Sequence, residues 1–464
     1  MSKKTRTILF SFLSILFLLT ALVAVLYSQG YRFDFERKKV VQTGAFSFKV
    51  WPKGSLIYLD GKLSKKTDFL FGNAFVENLL PKKYKIEIKK DGYHPWQKSL
   101  EISKKWVTEA KNVFLIPKNP KFIISENEIE DFFFSPDEKK VVLKKEVKEG
   151  WGLNLLDLKK NRQFPLFKEE QLLKKDGKIK FIDLNWSADS KKILLKIIDK
   201  EFEYFIIELD KERGLIPLNF LGKEFTEVSF DPENSQRIFF IQNLTDKNSL
   251  FSVDYNKREI SQPILENLIT YQIFNGSLFW LDREGFFFQA DLSGRKIRSF
   301  NLTPFSLKPE GQYQIIIFPK KIFLKENGNF YFFDENYQSF EKILEKVKEV
   351  KISPDFKKMV YFTDYEIWIL FLEAAQGQPQ KKEGEKLFLT RFSEKIGDVF
   401  WYTSHYLIFN TGNIIKIAEI DDRDKINICD LFEFKNSKIF WNKIYKKLYL
   451  LSEGDLYSSG KLLP

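Results

Sequence analysis

Cysteine is almost absent from this chain. A single Cys429 in 464 residues rules out an intramolecular disulfide framework and any multi-cysteine metal site, and it reads as a small buried hydrophobe within a strand. Histidine is nearly as scarce, with His94 and His405 alone. His94 stands beside Pro95-Trp96 with no partner nearby in sequence, the setting of a structural histidine. His405, in Thr403-Ser404-His405-Tyr406, falls in a hairpin turn, and a triad built on it would need Ser and Asp converging from distant segments. The motifs that carry chemistry are missing as well: no Gly-rich phosphate loop, His-Glu-x-x-His, Cys-x-x-Cys or Gly-x-Ser-x-Gly occurs. Asp421-Asp422 has no ligand spacing around it and reads as a solvated turn. No catalytic, cofactor-binding or metal-ligating residue is therefore assigned, no cofactor is expected, and the chain is not expected to be an enzyme. The 49 Phe beside abundant Lys and Ile look like the imprint of a biased genome, which lowers the weight of any one Phe or Lys cluster.

What is present begins with an uncharged run, residues 8–28, ILFSFLSILFLLTALVAVLYS. At helical rise it spans about 30 Å, the thickness of a bilayer core. It is longer than the apolar region of a secretory signal and lacks a small-x-small end, so an uncleaved anchor is expected. Lys3, Lys4 and Arg6 precede it and Arg32, Arg37, Lys38 and Lys39 follow, so charge alone leaves the orientation open. With the foldable mass all behind the helix, the expected arrangement is single-pass in the cell membrane with the bulk extracytoplasmic.

A short β-pattern follows. Pro52-Lys53-Gly54-Ser55-Leu56-Ile57-Tyr58-Leu59 reads as a strand entering the hairpin signal Asp60-Gly61. After Leu80-Pro81, Tyr84, Ile86 and Ile88 share one face against Lys85, Glu87 and Lys89 on the other, the period of a half-buried antiparallel sheet. With Asp91-Gly92-Tyr93-His94-Pro95-Trp96 at its close, this stretch resembles the PEGA domain, although Lys53 and Ser55 replace two residues of that name. The resemblance implies a small β-sandwich and surface display, not a reaction. Charge gathers here: residues 1–120 hold 22 Lys and Arg against 9 Asp and Glu, and the remaining 344 hold 53 against 54. A solvated Lys-rich face, with Lys85, Lys89 and Lys98 on the polar side of the sheet, is the simpler reading; a contact with anionic lipid or an acidic polymer is the functional one.

From about residue 121 the chain repeats. Phe132-Phe133-Phe134-Ser135-Pro136-Asp137, Leu184-Asn185-Trp186-Ser187-Ala188-Asp189, Val228-Ser229-Phe230-Asp231-Pro232-Glu233 and Val350-Lys351-Ile352-Ser353-Pro354-Asp355 each pass into a second apolar strand. Weaker copies start near Ile273-Phe274-Asn275-Gly276, Ile317-Phe318-Pro319-Lys320, Val399-Phe400-Trp401-Tyr402 and Ile439-Phe440-Trp441-Asn442. Ser accepts backbone hydrogen bonds, Pro presets φ and Asp holds the bend through its own side chain. Two more strands follow each turn, giving the four-stranded unit of a propeller blade, and the region resembles the WD-like repeats of the Tol-system propeller. The count gives eight blades, with seven the alternative. The last copy has room for three strands, so closure is expected from a front strand at Lys121-Phe122-Ile123-Ile124-Ser125. Residues 373–384 have no strand pattern and read as a flexible insertion in the sixth blade.

The expected fold is thus all-β: tail 1–7, transmembrane helix 8–28, linker 29–44, PEGA-like sandwich 45–118 and β-propeller 119–464. The function expected of it is a membrane-anchored extracytoplasmic scaffold with a protein or cell-envelope polymer as partner and an anionic lipid contact as a further option. Nucleic acid is not expected. An envelope-polymer enzyme working from the propeller channel and a cytoplasmic-facing platform are the alternatives.

Overall fold

The computed structural model describes residues 3–147, 150–172, 179–210, 214–222, 225–244, 247–319 and 321–463. Helix α1, Lys3–Ser28, has no buried residue, and it is long and apolar enough to cross a membrane. Residues 29–44, expected as a linker, hold a two-stranded hairpin, Tyr31–Asp34 paired with Lys39–Gln42. Two facing sheets come next. Gly44–Trp51 lies between Asn73–Leu79 and Val107–Phe114, and Leu56–Leu59 and Lys83–Lys89 form the centre of a four-stranded sheet. Phe46, Phe48, Ile57, Ile86, Ile88 and Trp96 pack between them as one core. Asp60 and Gly61 both adopt positive φ, 47° and 79°, which is the geometry a two-residue hairpin needs to match strand twist.

Among the described residues the remaining strands form eight four-position blades. Their first strands are Ile129–Phe134, Lys180–Trp186, Phe225–Phe230, Leu268–Phe274, Tyr313–Phe318, Glu349–Ile352, Ile396–Thr403 and Lys438–Asn442, and each pairs with its own second strand. Blade 8 is completed by Phe122–Glu126, which pairs with Asp455–Ser459 in the register Phe122↔Ser459, Ile123↔Ser458, Ile124↔Tyr457. The ring therefore closes where the sequence placed its front strand, which supplies the fourth strand of blade 8, at the opposite edge of the sheet from Lys438–Asn442.

The cores decide the count. Alternate residues of each second strand point to opposite faces, so a blade buries one set against each neighbour. Val142 joins Ile193 and Leu195 between blades 1 and 2, whereas Val141 and Leu143 join Tyr449 and Leu456 between blades 1 and 8. The same division places Ile238 and Phe240 against blade 2 but Phe239 and Ile241 against blade 4. Met359 and Tyr361 likewise face blade 5, and Val360 and Phe362 face blade 7. Cores between blades 4 and 5 and between 7 and 8 complete eight interfaces. Burying one side chain such as Phe240 contributes about 1.5–3 kcal/mol. Most of the Phe richness is spent here, and Phe132–Phe134 and Phe286–Phe288 are buried or partly buried rather than displayed.

Candidate partner-binding face

The end of the propeller that carries the Ser-Pro-Asp turns is built from local hydrogen bonds. Ser353 is fully buried; its hydroxyl donates to Asp355 Oδ1 at 2.5 Å and accepts from the Lys358 N–H at 2.9 Å, while Asp355 also accepts from the Lys357 N–H. Ser135 and Ser187 repeat this pattern with Asp137 and Asp189. Blade-to-blade bonds stitch the same end together: Lys140 Nζ donates to the Ser190 carbonyl and Ser235 donates to Asp189. In Asp355 burial opposes ionisation, but Lys358 and the Ser353 hydroxyl outweigh it and hold the carboxyl below its ordinary range. The fifth-blade copy ends in Lys320, which lies outside the described residues.

The first β-module docks on this end at blades 6 and 7. Lys98, expected on an exposed face, is 2% exposed. Its ammonium donates to Glu419 Oε1 at 2.7 Å and to the Asp421 carbonyl at 2.5 Å. Glu419, 3% exposed, also accepts from Trp96 Nε1 and from the Asn427 N–H and side-chain amide. The sheet carrying Lys98 is therefore solvated on Lys85 and Lys89 and covered where it meets the propeller. Asp421-Asp422 is part of this joint and not a solvated turn. Asp421 is held by Arg423 at 2.6 Å, and Asp422 by Lys381 at 2.7 Å. Burial pushes the Asp421 carboxyl up, but Arg423 and Lys98 more than reverse it. The insertion 373–384 is tied down by the same contacts. Gln378 accepts from the Glu109 N–H at 2.9 Å and donates to the Val107 carbonyl at 3.0 Å, and Ala375 bridges to Lys381. Its composition is that of a free loop, and the partners that order it stand about 270 residues away.

Across blades 4 to 6 the same end stays open as a cleft of about 930 Å³. Its floor is aromatic, with the partly buried Phe274, Phe318 and Phe332, and its rim carries Phe356 and mixes Arg298, Lys321 and Lys386 with Glu335 and Glu373. Phe356 is 62% exposed, held outward by a positive φ of 59° in the sixth-blade turn. Lys321 reaches Glu383 at 2.5 Å, so the docked insertion forms the cleft wall.

The first strands carry a second feature that motif searching missed. Three positions before the last residue of these strands stand Asp131, Asp183, Glu227 and Glu349 in blades 1, 2, 3 and 6. Aligning Trp401 and Trp441 with Trp186 puts Asp398 and Lys438 at the matching place in blades 7 and 8. Bulges beside Asp131 and Asp183 re-aim these side chains. Lys438 pairs with Asp131 at 2.5 Å across the closing seam, and Lys351 with Glu349 at 3.2 Å. Glu227 is wetted, yet the protein mass around it pushes its carboxyl up. Counting back from each turn would have exposed this register in the sequence. Among the described residues no three His, Cys, Asp or Glu side chains converge as a metal site.

The two histidines and the cysteine lie apart from both features. His94 is partly buried with its N–H on the Ile116 carbonyl, and Cys429 is partly buried in Ile428–Glu433 with its thiol pushed up to about 11 by burial. His405 occupies the first turn of blade 7, where burial, with Lys358 adding to it, lowers its imidazole to about 4.

No known family profile matches the chain, and no curated protein is similar to it in sequence. Among solved structures it is similar to the Cps50 (Swd1) β-propeller domain of Myceliophteria thermophila, at 12% identity and a TM-score of 0.43, over 74% of this chain and 99% of that one. It is also similar to the C-terminal WD40 domain of Sif2, at 12% identity and a TM-score of 0.46, over 75% and 99%. Sqt1 of Saccharomyces cerevisiae gives 8% identity and a TM-score of 0.45, over 75% and 100%. The strand order and the eight inter-blade cores, not these likenesses, make the chain a β-propeller.

Proposed function

We propose that this chain is a membrane-anchored extracytoplasmic binding or scaffold protein. Residues 8–28 span the bilayer, a PEGA-like module at 45–118 serves as envelope contact and fixed spacer, and the propeller at 119–464 presents its cleft to a protein or envelope polymer. The observation that carries this reading is the aromatic-floored cleft over blades 4 to 6, walled by an insertion that the first module holds in place. Aromatic floors with charged rims suit a partner that buries apolar side chains and pairs charges at the edge. A photo-activatable residue placed at Phe356 in intact cells tests it. A discrete cross-linked species from Phe356, absent when the residue is placed instead at the exposed Leu302, is the expected result. Equal or no cross-linking from the two positions would contradict it.

The acidic register of the channel favours one other reading, an enzyme acting on an envelope glycan or peptide. Release of soluble fragments from isolated cell envelope by the native chain, abolished by Asp183→Asn with Glu227→Gln, would favour that reading over the scaffold.

A further inference from the structure

Exposed apolar side chains gather where α1 meets the first module. The hairpin after the helix puts Phe35 at its tip, 83% exposed, with Phe33 at 47% and their rings 5.0 Å apart. The tip is shaped by the nearly buried Asp34, whose carboxylate accepts the N–H groups of Glu36 and Arg37. A second turn brings Trp106, 69% exposed, to the same place: Lys105 donates its N–H to the Thr43 carbonyl and Ala45 donates to that of Trp106. Cations outnumber carboxylates around these rings. Arg37, Lys82, Lys83, Lys104 and Trp106 line one shallow concavity together with Glu101, with Lys38, Lys39 and Lys105 exposed beside it and Glu36 on the hairpin.

The arrangement is fixed to the helix. The Arg32 guanidinium lies 3.4 Å from the Tyr27 ring centroid, donates to the Tyr27 carbonyl at 2.7 Å and reaches Asn78 Oδ1 at 2.7 Å. Thr43 donates its N–H and hydroxyl to the Gly30 carbonyl, both at 2.9 Å. The helix exit, hairpin and module are thus hydrogen-bonded to one another. The uncharged run 8–28 is about 30 Å long as a helix, the thickness of the hydrocarbon, so its Tyr27 end reaches headgroup level and carries the hairpin there.

We propose that this collar seats the module on the headgroups of the leaflet from which α1 emerges, with Phe35 and Trp106 in the interface and the surrounding Lys and Arg on anionic lipid. The inference rests on the reading of α1 as a membrane span. Aromatic rings settle at the membrane–water interface, and nearby Lys and Arg are drawn to an anionic surface. Strand register separates this patch from an exposed aromatic loop elsewhere on the module. Asn73–Leu79 runs from beside Phe69-Leu70-Phe71 to the helix exit, pairing Lys49↔Asn73 at one end and Gly44↔Leu79 at the other. Phe69 and Phe71, 79% and 68% exposed, are thus held away from the bilayer.

Spin labels on the full chain in proteoliposomes of phosphatidylcholine with phosphatidylglycerol test the proposal. In a Cys429→Ser background, Leu16→Cys, Phe35→Cys, Trp106→Cys and Phe69→Cys are labelled singly, and accessibility to oxygen and to a water-soluble nickel chelate is compared. The expected result is an oxygen-to-nickel ratio highest at Leu16, intermediate at Phe35 and Trp106, and aqueous at Phe69. Lys83→Glu with Lys104→Glu and Lys105→Glu should shift Phe35 and Trp106 toward the aqueous value and leave Leu16 unchanged. Aqueous values at Phe35 and Trp106 with Leu16 in hydrocarbon would overturn the collar alone, as would lipid contact at Phe69 equal to that at Phe35. An aqueous Leu16 would overturn the membrane reading and the collar with it.

Discussion

Lys98 and Glu419 stand 321 residues apart in the chain and meet as a buried pair whose remaining hydrogen-bonding positions are filled by Trp96, Asn427 and the Asp421 carbonyl. Such a pair adds little over a well-packed apolar one, but removing one partner strands the other charge at a cost of about 3–5 kcal/mol. Lys98→Met is therefore expected to destabilise the joint by about that amount. Hydrogen exchange should show Val107–Phe114 and residues 373–384 losing protection before the blades do, and unchanged protection there would contradict this account. His405 gives a second residue-scale prediction. Burial lowers its imidazole to about 4, with Lys358 adding to the shift and Asp355 and Asp421 opposing it, against about 6.5 in an unfolded chain. Between those two values the unfolded chain binds a proton that the folded chain refuses, so stability is complete above the window and falls as pH is lowered through it. Thermal unfolding at pH 7 and pH 5 is expected to show a fall that His405→Gln reduces; a variant with the same pH slope would refute it. His94, also lowered by burial, contributes in the same direction.

At the scale of elements, what was legible in the sequence is what is local. Asp60-Gly61, Asn327-Gly328 and Glu453-Gly454 each take the two positive φ values of a tight hairpin, and the Ser-Pro-Asp turns are held by partners within five residues. The closing strand Phe122–Glu126 was legible by elimination, since the last copy lacks a fourth strand. The fate of Lys98, Asp421 and Gln378 was not legible, because alternation marks which side of a sheet a residue takes but not what will cover that side. Closure itself is testable. Neighbouring residues of a strand point their N–H groups in opposite directions, so proline at both Ile123 and Ile124 must remove a donor from the pairing with Asp455–Ser459. Both side chains are more than half exposed, so little core packing is lost. Hydrogen exchange is expected to rise in Asp455–Ser459 while Arg237–Leu244 in blade 3 stays protected. Equal protection in variant and native chain would mean that the front strand does not close the ring.

As a whole molecule, the chain is a helix, a small two-sheet module and an eight-bladed ring with side-chain contacts at both junctions: Arg32 ties helix to module, and Glu419 with Gln378 ties module to ring. This gives the basic excess of residues 1–120 a place, since much of it surrounds the helix exit while the ring is near neutral. A cleft on a body so tied and hung from a bilayer would meet partners at the membrane, which suits a scaffold. The proposed function requires this body to stand outside the cytoplasm. Protease treatment of intact cells expressing the chain with a carboxyl-terminal tag tests it most directly. A cytoplasmic control, a lysed sample and, where an outer membrane exists, a separately permeabilised one are run alongside. Loss of the tag while the cytoplasmic control survives is the predicted result. A tag protected until the cells are lysed would contradict the account and place the propeller on the cytoplasmic face.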